Sequence, residues 1–161
     1  MSDDGKQIVV GYDGSGESKA AIHWAAAVAQ RRGRPLLVAS AAGIDPGSQQ
    51  VNTARRLSEE GAALAKKHAD ITVSAESPGA GAVATLVGLS KEAELVVMGN
   101  RGRGRLRGAL LGSAAFSVAI HAECPVAITR DTIRPLPSSG YPIAVGSDGS
   151  PARSAAVGGA G

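Results

Sequence analysis

LVVMGNRGRGRLRGALLGS, residues 95–113, passes from an apolar run into a glycine- and arginine-rich loop and ends where a helix can begin. Leu95, Val96, Val97 and Met98 are the residues of a buried strand, which Gly99 stops abruptly. Glycines at 99, 102 and 112 let backbone approach a ligand closely, and Ser113 opens a segment to Ala122 that reads as a helix. The amides of Gly112, Ser113 and Ala114 would then point out of a helix N-terminus, the geometry that binds phosphate. Arg101, Arg103, Arg105 and Arg107 lie within seven residues, and no Asp or Glu occurs from Leu95 to Ala122. The local potential is positive, so an anion is expected. The arginines could also form a plain solvated face, but glycines between them prevent a single helical stripe.

Outward from this stretch the same alternation repeats. Ile8–Val10 is a short β-branched strand ended by Gly11, and Glu17–Arg32 is an Ala-rich helix closed by Gly33. Leu36–Ala42 is a second strand, and a Gly/Pro/Ser/Gln stretch from Gly43 to Gln50 leads to a helix from Val51 to Ala69. Ile71–Ala75 is a third strand, Gly81–Ala93 a third helix, and Val126–Thr129, after Cys124 and Pro125, a fifth strand. Strands alternating with helices argue for βαβ units, and near-continuous apolar strands for a parallel sheet covered on both faces. The expected fold is an α/β, open, doubly wound five-stranded parallel sheet with helices on both faces. Ligands of such sheets bind beyond the carboxyl ends of the strands where strand order reverses, which directs attention to the loops after Val10 and Met98.

Composition narrows the classes. The 161 residues suit one domain, with 43% hydrophobic and 19% charged residues, a globular balance. A single cysteine, Cys124, excludes an intrachain disulfide framework and a thiolate metal cluster, and is expected to pack as a small apolar group. The start MSDDGKQ lacks a secretory pattern, and the longest weakly polar run, Gly108–Ile120, is too short to span a bilayer, so a soluble cytoplasmic protein without membrane contact is expected. The pI is 9.4, yet the aromatic residues make up only 2% and none interleaves with the arginines to stack bases, which disfavours nucleic acid as a partner. Glycines after the fourth strand instead of the first disfavour dinucleotide oxidoreductase chemistry, and no P-loop lysine motif occurs. His23, His68 and His121 are far apart in sequence and lack metal spacing, so helix-end or surface roles are expected for them.

IVVGYDGSGESKAA, from Ile8, reappears without a gap as IAVGSDGSPARSAA, from Ile143, an offset of 135. The expected organisation is a domain over residues 1–130, a Pro/Ser-rich linker over 131–142, and the truncated start of a second repeat over 143–161.

With its G-x2-G-x9-G-S spacing complete at Gly99, Gly102, Gly112 and Ser113, the chain resembles the universal stress protein family, in particular its ATP-binding branch. The first strand ending in GYDGS, the helix AAIHWAAAVA, the strand LVVMGNRGRG and the closing AECPVAITR follow in the family's order, over roughly Lys6 to Arg130. The resemblance implies a Rossmann-like sheet of the adenine nucleotide alpha hydrolase type and a site for ATP with a divalent ion, Mg2+. By the same resemblance Asp13 contacts the adenosine, with Gly11 and Gly14 shaping its turn, and the backbone of Ala41 meets the adenine. Met98 and Gly99 line the nucleoside side, and Arg101, Gly102, Gly112, Ser113 and Ala114 serve the phosphates. Tyr12 stands where the family often has a small apolar residue, which puts the seating of the base in question. Asp13 and Ser15 have a plainer alternative as N-caps of the first helix.

Two functions follow. One is an ATP-binding regulatory, stress-response protein with at most slow ATPase activity, since no Glu or His is placed by sequence to activate a water. The other is a dimerisation or interaction module with a vestigial pocket. Family members pair their fifth strands, and the short apolar Val126–Thr129 is expected at the sheet edge, where it would join two copies as a homodimer.

Overall fold

A computed structural model describes residues 5–43, 47–102 and 111–130. The chain runs β1 (Gln7–Gly11), α1 (Gly16–Arg32), β2 (Leu36–Ala39), α2 (Ser48–His68), β3 (Val73–Glu76), α3 (Ala82–Ser90), β4 (Ala93–Gly99), α4 (Ser113–His121) and β5 (Val126–Thr129). The five strands form one parallel sheet in the order β3-β2-β1-β4-β5. This is the doubly wound sheet expected from the alternating pattern. Strand order reverses between β1 and β4, which places the loops after Gly11 and Gly99 side by side.

Period-two alternation decides which face each strand residue serves. Ile8, Val10, Leu36, Val38, Leu95 and Val97 turn to one side, where they pack with the alanines of α1 and with Ala62 and Ala65 of α2. Val9, Leu37, Ala39, Val96 and Met98 turn to the other, against Leu86 of α3 and Ala115 and Val118 of α4. Alanine on α1 and Gly61 on α2 bring helix backbone close to the sheet: a Cβ on Gly61 would lie 2.8 Å from Val38 Cγ1 and 2.9 Å from Tyr12 Cδ1.

Helix ends follow local chemistry. Ser15 caps α1 by accepting a hydrogen bond from the Ser18 amide at 3.2 Å, and Gly33 closes it in the left-handed region at φ 62°. Arg32 and Arg34, at and just beyond that end, both reach the carboxylate of Glu94 and tie α1 to the start of β4.

Several boundaries differ from the sequence expectation by two or three residues: α2 begins at Ser48 and not Val51, β3 at Val73 and not Ile71, and β4 at Ala93 and not Leu95. The second strand ends at Ala39 and not Ala42, because its partner β1 stops at Gly11 and the Tyr12 amide makes the last bond to Ala39 O, at 2.9 Å. The third helix ends at Ser90 and not Ala93: Ala93 already pairs with Gln7 in the sheet, an assignment that an apolar run cannot reveal by itself. The linker and second repeat expected over 131–161 lie outside the described residues, as do Arg103, Arg105 and Arg107. Among the described residues no helix is long and apolar enough to cross a membrane.

The histidines require a correction. His23, in the middle of α1, and His68, the last residue of α2, are not apart: their ring centroids lie 3.7 Å from one another. His121 does sit at a helix end, with Nδ1 2.8 Å from Ser117 O. Burial, and then the charge of His68, hold the His23 pKa below its ordinary value. A histidine whose folded pKa lies below the unfolded one, near 6.5, binds fewer protons in the folded state as pH falls through that value. Stability attributable to His23 should therefore be complete above about pH 7 and decline on acidification, starting near the unfolded pKa of about 6.5. Urea midpoints at pH 7.5 and 5.5, in the presence of a chelator, should fall less for His23→Leu than for the parent; equal falls would refute the assignment.

Candidate functional site

The β1 and β4 loops open into a cleft of about 360 Å³ at the reversal point of the sheet. Every residue expected at the site lines this cleft except Gly14. Gly11, Asp13 and Ala41 come from the ends of β1 and β2, Met98, Gly99, Arg101 and Gly102 from β4 and its loop, and Gly112, Ser113 and Ala114 from the start of α4. Gly14 serves the turn instead: its φ of 83° lets the chain reverse from β1 into α1, and a Cβ there would meet Leu57 Cδ2 at 3.3 Å.

Asp13 and Ser15 act together at the start of α1. Ser15 is the N-cap, while Asp13 orients it, its Oδ1 accepting from the Ser15 amide at 3.0 Å and the Ser15 hydroxyl at 2.6 Å. The second oxygen of Asp13 faces the other loop: a Cβ on Gly102 would stand 2.8 Å from Oδ2. Glycine at 102 therefore lets the two loops close on each other with the carboxylate between them.

The remaining motif glycines are explained one by one. A Cβ on Gly99 would lie 2.8 Å from Glu17 Cβ and 2.9 Å from the Glu17 carbonyl carbon, so this glycine admits the first turn of α1 against the end of β4. Gly11 makes room for Leu86, whose Cδ1 would be 3.1 Å from a Cβ there. The Gly112 amide donates to Asn100 O at 2.8 Å. That bond corrects the expectation that Gly112 offers its amide to a ligand, and leaves the first turn of α4, Ser113 to Ala115, as the donor edge. Gly112 is the N-cap of α4, with no side-chain cap and no acid in the first turn. A helix start of this kind carries unsatisfied N–H groups and about half a positive charge, which favours an anion. Gly81 begins α3 in the same way, and Ala82 also touches the cleft.

Another part of the wall is apolar, formed by Ala39, Ala41, Leu57, Leu86 and Met98. Leu57, Thr85 and Leu86 were not expected from sequence, because they belong to no motif and arrive only through packing of α2 and α3. Tyr12, flagged as a departure, sends its ring onto Gly61 and donates its hydroxyl to Glu60 Oε1 at 2.7 Å. Its carbonyl accepts from Ser40 Oγ at 2.6 Å. Burial and the adjacent Glu60 carboxylate raise the phenol pKa, so it stays a neutral donor. Cys124 is half-buried against the α4 face of the sheet, and burial raises its thiol pKa, in line with packing and not redox chemistry.

A doubly wound parallel sheet, with a largely apolar cleft carrying Asp13 and Arg101 at its reversal point, defines a Rossmann-like α/β domain. Residues 5–130 match the model of the universal stress protein family, and the chain belongs to that family. It is 37% identical over 174 residues to universal stress protein Rv2005c of Mycobacterium tuberculosis, an alignment covering 94% of this chain and 58% of that protein. A second relative, from Mycolicibacterium smegmatis, is 33% identical over 93% of this chain and 56% of its own length. The chain thus spans little more than half the length of these curated relatives. Among solved structures, a universal stress protein in complex with cAMP is 30% identical, with a TM-score of 0.64, covering 80% of this chain and all of that one. One from Archaeoglobus fulgidus superposes with a TM-score of 0.66 at 22% identity, covering 77% of this chain and 98% of that one.

Proposed function

We propose that the cleft binds an adenine nucleotide, ATP with Mg2+ in the first instance, and that the protein is a stress-response regulator and not a dedicated hydrolase. The observation that carries this is the start of α4, uncapped and without acids, set across from Asp13 and beside Arg101. In this reading Ser113, Ala114 and Arg101 take the phosphates, Asp13 takes the adenosine, and the adenine lies on the apolar wall against the backbone of Ala41. The structural relative bound to cAMP supports the nucleotide class. Among the described residues Asp13 is the sole acid lining the cleft, and no group of three metal-ligating side chains exists. Mg2+ therefore fits as an ion carried mainly by the phosphates, with the Ser113 hydroxyl within the same edge, and it would neutralise phosphate charge there.

The test is denaturing extraction of purified protein followed by nucleotide chromatography, with titration of the emptied protein by ATP, AMP and cAMP. Stoichiometric adenine nucleotide, or micromolar binding of one of the three, bears the reading out; an empty protein that ignores all three refutes it.

A second reading, association of two copies at the α4 and β5 corner, draws on one observation. Phe116 and Ile120 of α4 are 57% and 58% exposed, beside the edge strand β5. Exposed apolar residues spaced i, i+4 next to the edge strand of the described sheet suit a partner. Phe116→Glu with Ile120→Glu should convert a dimer into a monomer in sedimentation while leaving nucleotide binding within about twofold. A parent that sediments as a monomer would remove this reading.

A further inference from the structure

Two imidazoles meet on the α1/α2 surface, away from the cleft. His23 is half-buried at the middle of α1, and His68 is exposed at the end of α2. Their centroids, 3.7 Å apart with planes tilted by 49°, are closer than the roughly 4.5–7 Å of ordinary aromatic pairs. At this separation, turning the rings about their side-chain bonds can bring a nitrogen of one toward a nitrogen of the other. Two nitrogens bound to one ion at about 2.1 Å each cannot be more than about 4 Å apart, which this separation satisfies with rotation of the exposed His68 side chain.

We infer that His23 and His68 form a surface site for a borderline divalent transition-metal ion, Cu2+ most strongly, with water completing the coordination. Imidazole pairs suit Cu2+, Ni2+ and Zn2+, and affinity rises to Cu2+ along the first-row series. The lowered pKa of His23 keeps its ring neutral at pH 7, the form that offers a lone pair. The two ligands come from different elements, the middle of one helix and the end of another, so a bound ion would clamp the end of α2 to α1. Bound only by the folded protein, it would raise the melting temperature.

Cu2+ is the probe, titrated into the full chain carrying Cys124→Ser, since a thiol reduces Cu2+. Calorimetry should give one equivalent, and the electron paramagnetic resonance spectrum should carry hyperfine splitting from two imidazole nitrogens. His68→Ala, at an exposed helix end, and His23→Ala should each weaken binding by about tenfold or more, lose one nitrogen from the spectrum and abolish the Cu2+-dependent thermal shift. His121→Ala should leave all three readouts intact. Equal affinity in the parent and in His68→Ala, or a one-nitrogen spectrum in the parent, would overturn the site.

Discussion

Gly99→Ala is expected to destabilise the protein by about 3 kcal/mol, the upper end for an added methyl in close-packed surroundings. The new Cβ would stand 2.8 Å from Glu17 Cβ and 2.9 Å from its carbonyl carbon, and neither can retreat cheaply. Glu17 lies in the first turn of α1, fixed on its far side by the Ser15 cap. Relief therefore requires α1 to lift from β4, losing burial of alanines that are fully enclosed. Gly88→Ala is the internal control. It lies exposed in α3 with nothing within 4 Å of an added Cβ, so it should stabilise by about 0.5–1 kcal/mol through helix propensity. Urea denaturation measures both, and a Gly99→Ala cost below about 0.5 kcal/mol would show that the contact between β4 and α1 yields freely.

Gly102→Val should act on binding and spare the fold. Gly102 is exposed, and its neighbour is not backbone but Asp13 Oδ2, 2.8 Å from the position of a Cβ. A branched side chain there displaces the carboxylate and enters the space between the two loops. Adenine nucleotide affinity should fall about 100-fold, close to 2.7 kcal/mol, while the denaturation midpoint stays unchanged. Unaltered affinity would mean that the ligand does not pass between Asp13 and Gly102. The pair of variants separates two demands within one motif: Gly99 is small for α1, and Gly102 is small for the cleft.

That separation marks what sequence can carry. The sheet was legible because β1, β2 and β4 are apolar runs of low ambiguity, and their alternation with helices leaves few topologies. The cleft was legible where glycine spacing encodes it, from Gly99 to Ser113, and at Asp13. Leu57, Thr85 and Leu86 were not, since they reach the cleft only after α2 and α3 dock. The adjacency of His23 and His68 was hidden for the same reason: 45 positions separate them, and only the packing of α1 on α2 removes that distance. Gly112 misled in a subtler way, because a glycine before a helix reads as an anion donor while its amide is already committed to Asn100.

The Gly112 to Asn100 bond also ties the residue after β4 to the cap of α4. Strand end and helix start are thereby joined through one backbone contact at the mouth of the cleft. A shift of α4 would therefore be passed through that single joint to the end of β4, and the two walls of the cleft would move as one.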